Sequence, residues 1–122
     1  MLSESKICCE FVKHLEALSR FNKLNHEGNP VLWFHVRNEF KGAYDARYGS
    51  RMKKEGVKAG VADYIFLSNN WCGCLEFKAP KGKLSQSQKD FEALCKTFKI
   101  SYAVAHSVDE GLEILKDWNV IK

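Results

Sequence analysis

Two short apolar stretches separated by Asn69-Asn70 constrain the fold of this chain more than any other feature. Residues 61–67 (VADYIFL) and 71–79 (WCGCLEFKA) are rich in β-branched and aromatic side chains and read as strands. The Asn pair between them suits a two-residue hairpin turn, because Asn tolerates positive φ. Such a turn fixes the register: Leu67 faces Cys72, Ile65 faces Cys74, and Asp63 lies opposite Glu76. Side chains alternate along a strand, so Lys78 shares the face of Glu76, while Tyr64, Phe66, Leu75 and Phe77 form the other, apolar face. One end of one face thus gathers two carboxylates and an amine.

Facing carboxylates repel, and strand pairs usually avoid them. A divalent cation removes the conflict, since hard ions such as Mg²⁺ take carboxylate oxygens and retain water. A neighbouring lysine is then placed to act on that water and on charge building at a phosphate. The plainer reading is a Glu76–Lys78 ion pair at a strand end with Asp63 in a loop, because Glu-x-Lys by itself is common.

The remaining elements place this hairpin in an α/β chain. Residues 5–21 carry Ile7, Phe11, Leu15 and Leu18 at helical spacing, with Ser3 or Ser5 as N-cap. A polar stretch, 22–30, precedes a strand over 31–38. Residues 40–54 are ambiguous: Tyr44, Tyr48 and Met52 suit a helix, whereas Gly42 and Gly49 weaken one. After the hairpin come a helix over 85–98 (Phe91, Leu94, Cys95 and Phe98 inward), a strand over 100–106 and a helix over 107–118. A Ser107/Glu110 capping box opens that last helix, with Val108, Leu112 and Leu115 inward. The order predicts a mixed central sheet flanked by helices, in a single domain over residues 1–122.

Composition excludes several classes. With 45% hydrophobic and 28% charged residues the chain is neither disordered nor fibrous. No apolar run approaches the roughly 18 residues that span a bilayer, and the N-terminus lacks an apolar signal core, so a cytoplasmic protein is expected. Five cysteines (Cys8, Cys9, Cys72, Cys74, Cys95) in irregular spacing point to buried free thiols in a reducing compartment rather than to disulfides or a zinc knuckle. The net charge of +4 is concentrated: residues 37–83 hold ten Lys and Arg against five acids. A phosphate-binding surface is the sharper reading of that excess, using Arg37, Lys41, Arg47, Arg51, Lys53, Lys54, Lys58, Lys81 and Lys83.

Gly60-Val-Ala-Asp63, then Cys74-Leu-Glu76-Phe-Lys78, then Gly82-Lys-Leu-Ser85-Gln-Ser-Gln88 resembles the virus-type replication-repair nuclease (VRR-Nuc) domain, a branch of the PD-(D/E)xK superfamily. Upstream, His35-Val-Arg-Asn38-Glu39 is similar to that family's His-x-Pro-Asn-Glu segment, and Ser3-Glu4 to the acidic start of its first helix. Two departures are Ala62, where a proline usually precedes the aspartate, and Val36-Arg37 before Asn-Glu. The first bears on backbone stiffness rather than chemistry.

The resemblance implies a restriction-endonuclease-like core and a Mg²⁺- or Mn²⁺-dependent endonuclease. Asp63, Glu76 and the Phe77 carbonyl would hold the metal, and Lys78 would act on the attacking water. Gln88 would reach the site from its helix, although a capping role with Ser85 competes for the same side chain. Glu39 or Glu4 would supply a further carboxylate, with Glu10 a weaker rival. His35 reads equally well as a catalytic group or as a hydrogen-bonded, partly buried histidine. Stand-alone members of the family resemble Holliday-junction resolvases, implying a homodimer on branched DNA in a bacterial or phage-infected cell. A nuclease of broader duplex or flap specificity and a non-catalytic junction-binding module are the alternatives.

Overall fold

The hairpin forms in the expected register. In the computed structural model, which describes residues 2–37 and 46–122, strand β4 (Tyr64–Leu67) pairs antiparallel with β5 (Cys72–Phe77), Leu67 facing Cys72 and Ile65 facing Cys74. The reason given by the turn is different from the one expected. Neither Asn69 nor Asn70 has positive φ, and the turn is closed by the Ser68 N–H donating to the Trp71 carbonyl at 2.9 Å. Both strands are also shorter than the apolar runs that contain them.

Four strands make the main sheet, in the order β3-β4-β5-β6, where β3 is Leu32–His35 and β6 is Ser101–Ala105. The first two pairings are antiparallel and β5–β6 is parallel. A parallel pair needs a crossover, and helix α3 (Gln86–Thr97) supplies it. Helices α1 (Glu4–Arg20, N-cap Ser3) and α4 (Val108–Asp117, N-cap Ser107) pack together against the sheet. The ambiguous segment contains helix α2 (Ala46–Lys54). Residues 22–30, read as a turn, hold a miniature hairpin, β1 (Asn25–His26) with β2 (Asn29–Pro30). Among the described residues no helix is long and apolar enough to cross a membrane.

The hydrophobic alternation sorts the two sheet faces. Ile7, Phe11 and Leu15 of α1 and Leu115 of α4 bury against Tyr64, Phe66, Leu75 and Phe77. Each such side chain contributes about 1.5–3 kcal/mol by leaving water. The aromatic rings interlock, Phe11 lying 4.8 Å from Phe77 and Tyr64 meeting Phe77 edge-on at 5.8 Å. The opposite face is thinner: Ala62, Cys74 and Cys95 form a small cluster, with Ile65, Phe91, Ile100 and Tyr102 around it. Helix α3 buries less than its sequence promises. Cys95 is enclosed, but Leu94 is 54% and Phe98 70% exposed, because among the described residues no second layer meets the far side of the helix over the β5–β6 edge.

All five cysteines are free thiols, and Cys74 and Cys95 are buried as expected, whereas Cys9 is exposed on α1. The capping box read at Ser107/Glu110 is rearranged. Ser107 accepts the Glu110 N–H, but the Glu110 carboxylate accepts from the His106 N–H at 3.2 Å rather than from the cap residue itself.

Candidate active site

Asp63 ends the loop that leads into β4. Its carbonyl accepts the Val36 N–H at 2.7 Å, extending the β3–β4 ladder by one bond, and its Oδ2 accepts the Phe77 N–H, also at 2.7 Å. The aspartate is thereby tied to both neighbouring strands at the end of the hairpin where Glu76 lies. Glu76 is the one charged side chain among the buried residues described, at 4% exposure. Its carboxyl group touches that of Asp63.

Burial dominates the electrostatics of this pair. It pushes the Glu76 carboxyl up to about 8, with the Asp63 charge adding to the rise and Lys78 opposing it. Asp63 is also raised, chiefly by burial, while the Phe77 N–H works in the other direction. Glu76 Oε2 accepts from Gln88 Nε2 at 3.1 Å, whereas buried Oε1 has no hydrogen-bond donor among the described residues. Two carboxyl groups in contact with no donor between them require a shared proton or a cation.

Gln88 corrects the expectation that capping and site roles exclude one another. Its amide has two ends. The carbonyl Oε1 accepts the Ser85 N–H at 2.8 Å while the Gln88 N–H donates to Ser85 Oγ at 3.3 Å, completing the capping box of α3. The amino end is left to point at Glu76.

A cleft of about 950 Å³ opens over the pair. Glu4, Asp63, Glu76, Lys78 and Gln88 all line it, as do Arg37, Lys53 and Lys58. Glu4 stands at the start of α1, and its Oε1 accepts the Ala79 N–H at 3.3 Å, holding the chain just beyond β5. Glu10 lies elsewhere, exposed and paired with Lys13 at 3.1 Å. His35 is exposed at the cleft rim, its ring 5.0 Å from that of Tyr64, which answers the expectation of a partly buried histidine with an open one. The Phe77 side chain faces the core, on the opposite side of β5 from Glu76.

The other basic residues scatter. Arg51 pairs with Glu55 at 3.3 Å, and Lys54, Lys81 and Lys83 are exposed outside the cleft lining. Glu39 and Lys41 lie outside the described residues, as does the Arg47 side chain. Among the described residues, no three His, Cys, Asp or Glu side chains converge as a metal cluster. A Mg²⁺ site needs no such cluster: one or two carboxylates with water suffice. The buried, donor-free Oε1 of Glu76 against Asp63 fits a hard cation.

Sequence reasoning missed the wall formed by residues 57–61 with Ser85 and Ser87. The signal was Gly60. Its φ is +82°, and a Cβ there would sit 2.2 Å from the Ser87 carbonyl oxygen, so the loop bearing Lys58 presses directly on the backbone of the first turn of α3.

No family model matches the sequence, and no curated protein matches it. The structure is similar to a solved VRR_NUC domain protein, with a TM-score of 0.65 and 17% identity over 96% of this chain and 88% of the other. At that identity the likeness is one of fold. The chain has the VRR-Nuc domain fold, a restriction-endonuclease-like mixed sheet flanked by helices.

Proposed function

We propose that the protein is a metal-dependent nuclease that hydrolyses DNA phosphodiesters, with Asp63, Glu76 and Lys78 at its centre. The observation that carries this reading is Glu76, a buried carboxyl in contact with Asp63 whose second oxygen has no donor among the described residues, at the foot of a cleft lined by four cationic side chains. Asp63, Glu76 and the Phe77 carbonyl would hold Mg²⁺ or Mn²⁺. When bound, the metal supplies Lewis acidity toward the phosphate and lowers the cost of ionising water.

The chain's own groups supply the rest. Lys78, two residues along the same face as Glu76, orients the attacking water and faces the negative charge that builds on the phosphate. Gln88 fixes the Glu76 carboxyl through Oε2. Glu4 holds the backbone after β5, keeping Lys78 at the cleft. Arg37, Lys53 and Lys58 along the cleft receive the phosphates that flank the scissile bond.

We further propose branched DNA as the substrate and a two-fold homodimer as the working unit, since paired cuts across a junction need paired sites and each chain of 14.0 kDa brings one such cleft. The test is incubation of labelled four-way junction, flap, linear duplex and single strand with purified protein and its Glu76→Gln variant. Expected is cleavage of branched substrates with Mg²⁺ or Mn²⁺, lowered by a factor on the order of 10³ in the variant, whose DNA binding persists. Binding without cleavage in both metals would leave a junction-binding module, and equal cutting of all duplexes would replace the branched-DNA reading.

A further inference from the structure

A second buried polar atom without a partner lies under the same helix as Glu76. The Tyr102 hydroxyl, on β6, is enclosed and has no hydrogen-bond partner among the described residues. Tyrosine usually brings its hydroxyl to a partner when buried, because an unsatisfied one costs about 1–3 kcal/mol.

The parallel register places it. Tyr102 faces Cys74 and Val104 faces Glu76, so Tyr102 and Glu76 are diagonal neighbours, and the Tyr102 ring joins the small apolar cluster around Cys74 on the α3 side of the sheet. Helix α3 spans both: Phe91 meets the Tyr102 ring edge-on at 6.2 Å, and Gln88, one turn earlier, donates to Glu76 Oε2. Of the charged groups that act on the hydroxyl, Glu76 acts most strongly. Oε1 of Glu76 and Oη of Tyr102 are thus buried polar atoms of diagonally placed residues on one side of the sheet, each without a hydrogen-bond partner among the described residues. Polar groups too far apart for a direct bond are commonly joined by water, and an enclosed water typically serves two to four such groups.

We propose that Tyr102 is a positioning residue for Glu76, its hydroxyl and Glu76 Oε1 linked through one enclosed water. The carboxyl is then held at both oxygens, by Gln88 from α3 and by Tyr102 from β6, so that its free lone pairs present one fixed geometry to a cation. This rests on the metal-site reading of Glu76 given above. Groups that orient a metal ligand from behind are worth about 10–100-fold in metal affinity.

Two measurements on the full chain decide it. Calorimetric titration with Mn²⁺ compares wild type, Tyr102→Phe and Glu76→Gln. Expected is a 10- to 100-fold weaker Kd for Tyr102→Phe with only a small change in Tm, since phenylalanine removes one bond to the enclosed water and keeps the ring and its packing. An unchanged Kd, or a Kd that rises only together with a large drop in Tm, overturns the proposal. A high-resolution crystal structure of the metal-free protein is the second measurement. A water bonded to both Tyr102 Oη and Glu76 Oε1, lost in Tyr102→Phe, supports the assignment, and a hydroxyl bonded elsewhere ends it. If wild type takes up no Mn²⁺ at all, the metal reading of Glu76 fails, while the crystal structure still decides whether Tyr102 holds that carboxyl.

Discussion

The two faces of the β4–β5 hairpin are made by alternate residues of the same strands, yet they obey different physics. On one, Tyr64, Phe66, Leu75 and Phe77 disappear under α1 and α4 in an interlocked aromatic core. On the other, Ile65, Cys74 and Glu76 lie beneath α3, whose cover is thin enough to leave Leu94 and Phe98 in water. The first face supplies the interlocked apolar layer on which the hairpin rests. The second carries an acidic pair in contact and two buried oxygens without partners, costs that the first face offsets. A rigid apolar layer on one side of a strand permits strained electrostatics on the other.

Three substitutions or conditions would break or sharpen that contrast, beginning with the largest effect. Phe66→Ala removes a fully buried ring and is expected to destabilise the fold by about 3–5 kcal/mol, read as a drop in the urea midpoint. A loss below about 1 kcal/mol would show that α1 and α4 can collapse onto the gap, and the two faces would then differ less than described.

The second test is pH. Glu76 titrates in the folded protein at about 8 against an ordinary 4.5, so the folded state holds the proton more tightly. Its stabilising contribution is complete below about 4.5 and is lost as pH rises through about 8, at up to about 1.4 kcal/mol per pH unit. Metal-free protein should therefore melt at progressively lower temperature from pH 5 to pH 8, with Mg²⁺ restoring Tm at the upper end. A Tm that climbs over this interval, or a slope that survives in Glu76→Gln, would contradict the buried carboxyl.

The smallest expected effect belongs to Gln88→Ala, which loses both ends of the amide. About 1 kcal/mol of stability should go with the capping box, and cleavage should fall 10- to 100-fold with the hold on Glu76. Gln88→Glu separates the two: its carboxylate can still cap Ser85 but meets Glu76 as a third carboxylate in place of a donor, so only part of the stability should recover and activity should not. Recovery of both would reduce Gln88 to a cap.

Much of this architecture was legible because it is local. The hairpin register followed from two strands and a short turn, and the α3 cap from Ser85 and Gln88 three residues apart. The same register brings Asp63 to Glu76. Contacts across long sequence separations were not legible: nothing near Glu4 announces that its carboxylate accepts the Ala79 N–H, nor anything near Tyr102 that its buried hydroxyl shares the α3 side of the sheet with Glu76. The inward face of α3 was overestimated, since periodicity reports which residues can share a face but not whether a second layer exists to cover it. The central charge excess was legible as a count, but not which of its members would line the cleft. Arg51 is engaged with Glu55, and only some of the basic residues reach the cleft.

The two-ended use of Gln88 also has a bearing on motion. Helix ends are the least protected parts of a fold and open on their own, without global unfolding. Here the first turn of α3 cannot fray without withdrawing the donor from Glu76, because one amide group closes the cap and grips the carboxyl. The opening equilibrium of a single helical turn therefore sets the fraction of time in which the acidic pair is held in place, and a DNA backbone resting on Ser85 and Ser87 in the cleft would hold the acidic pair by holding that turn shut.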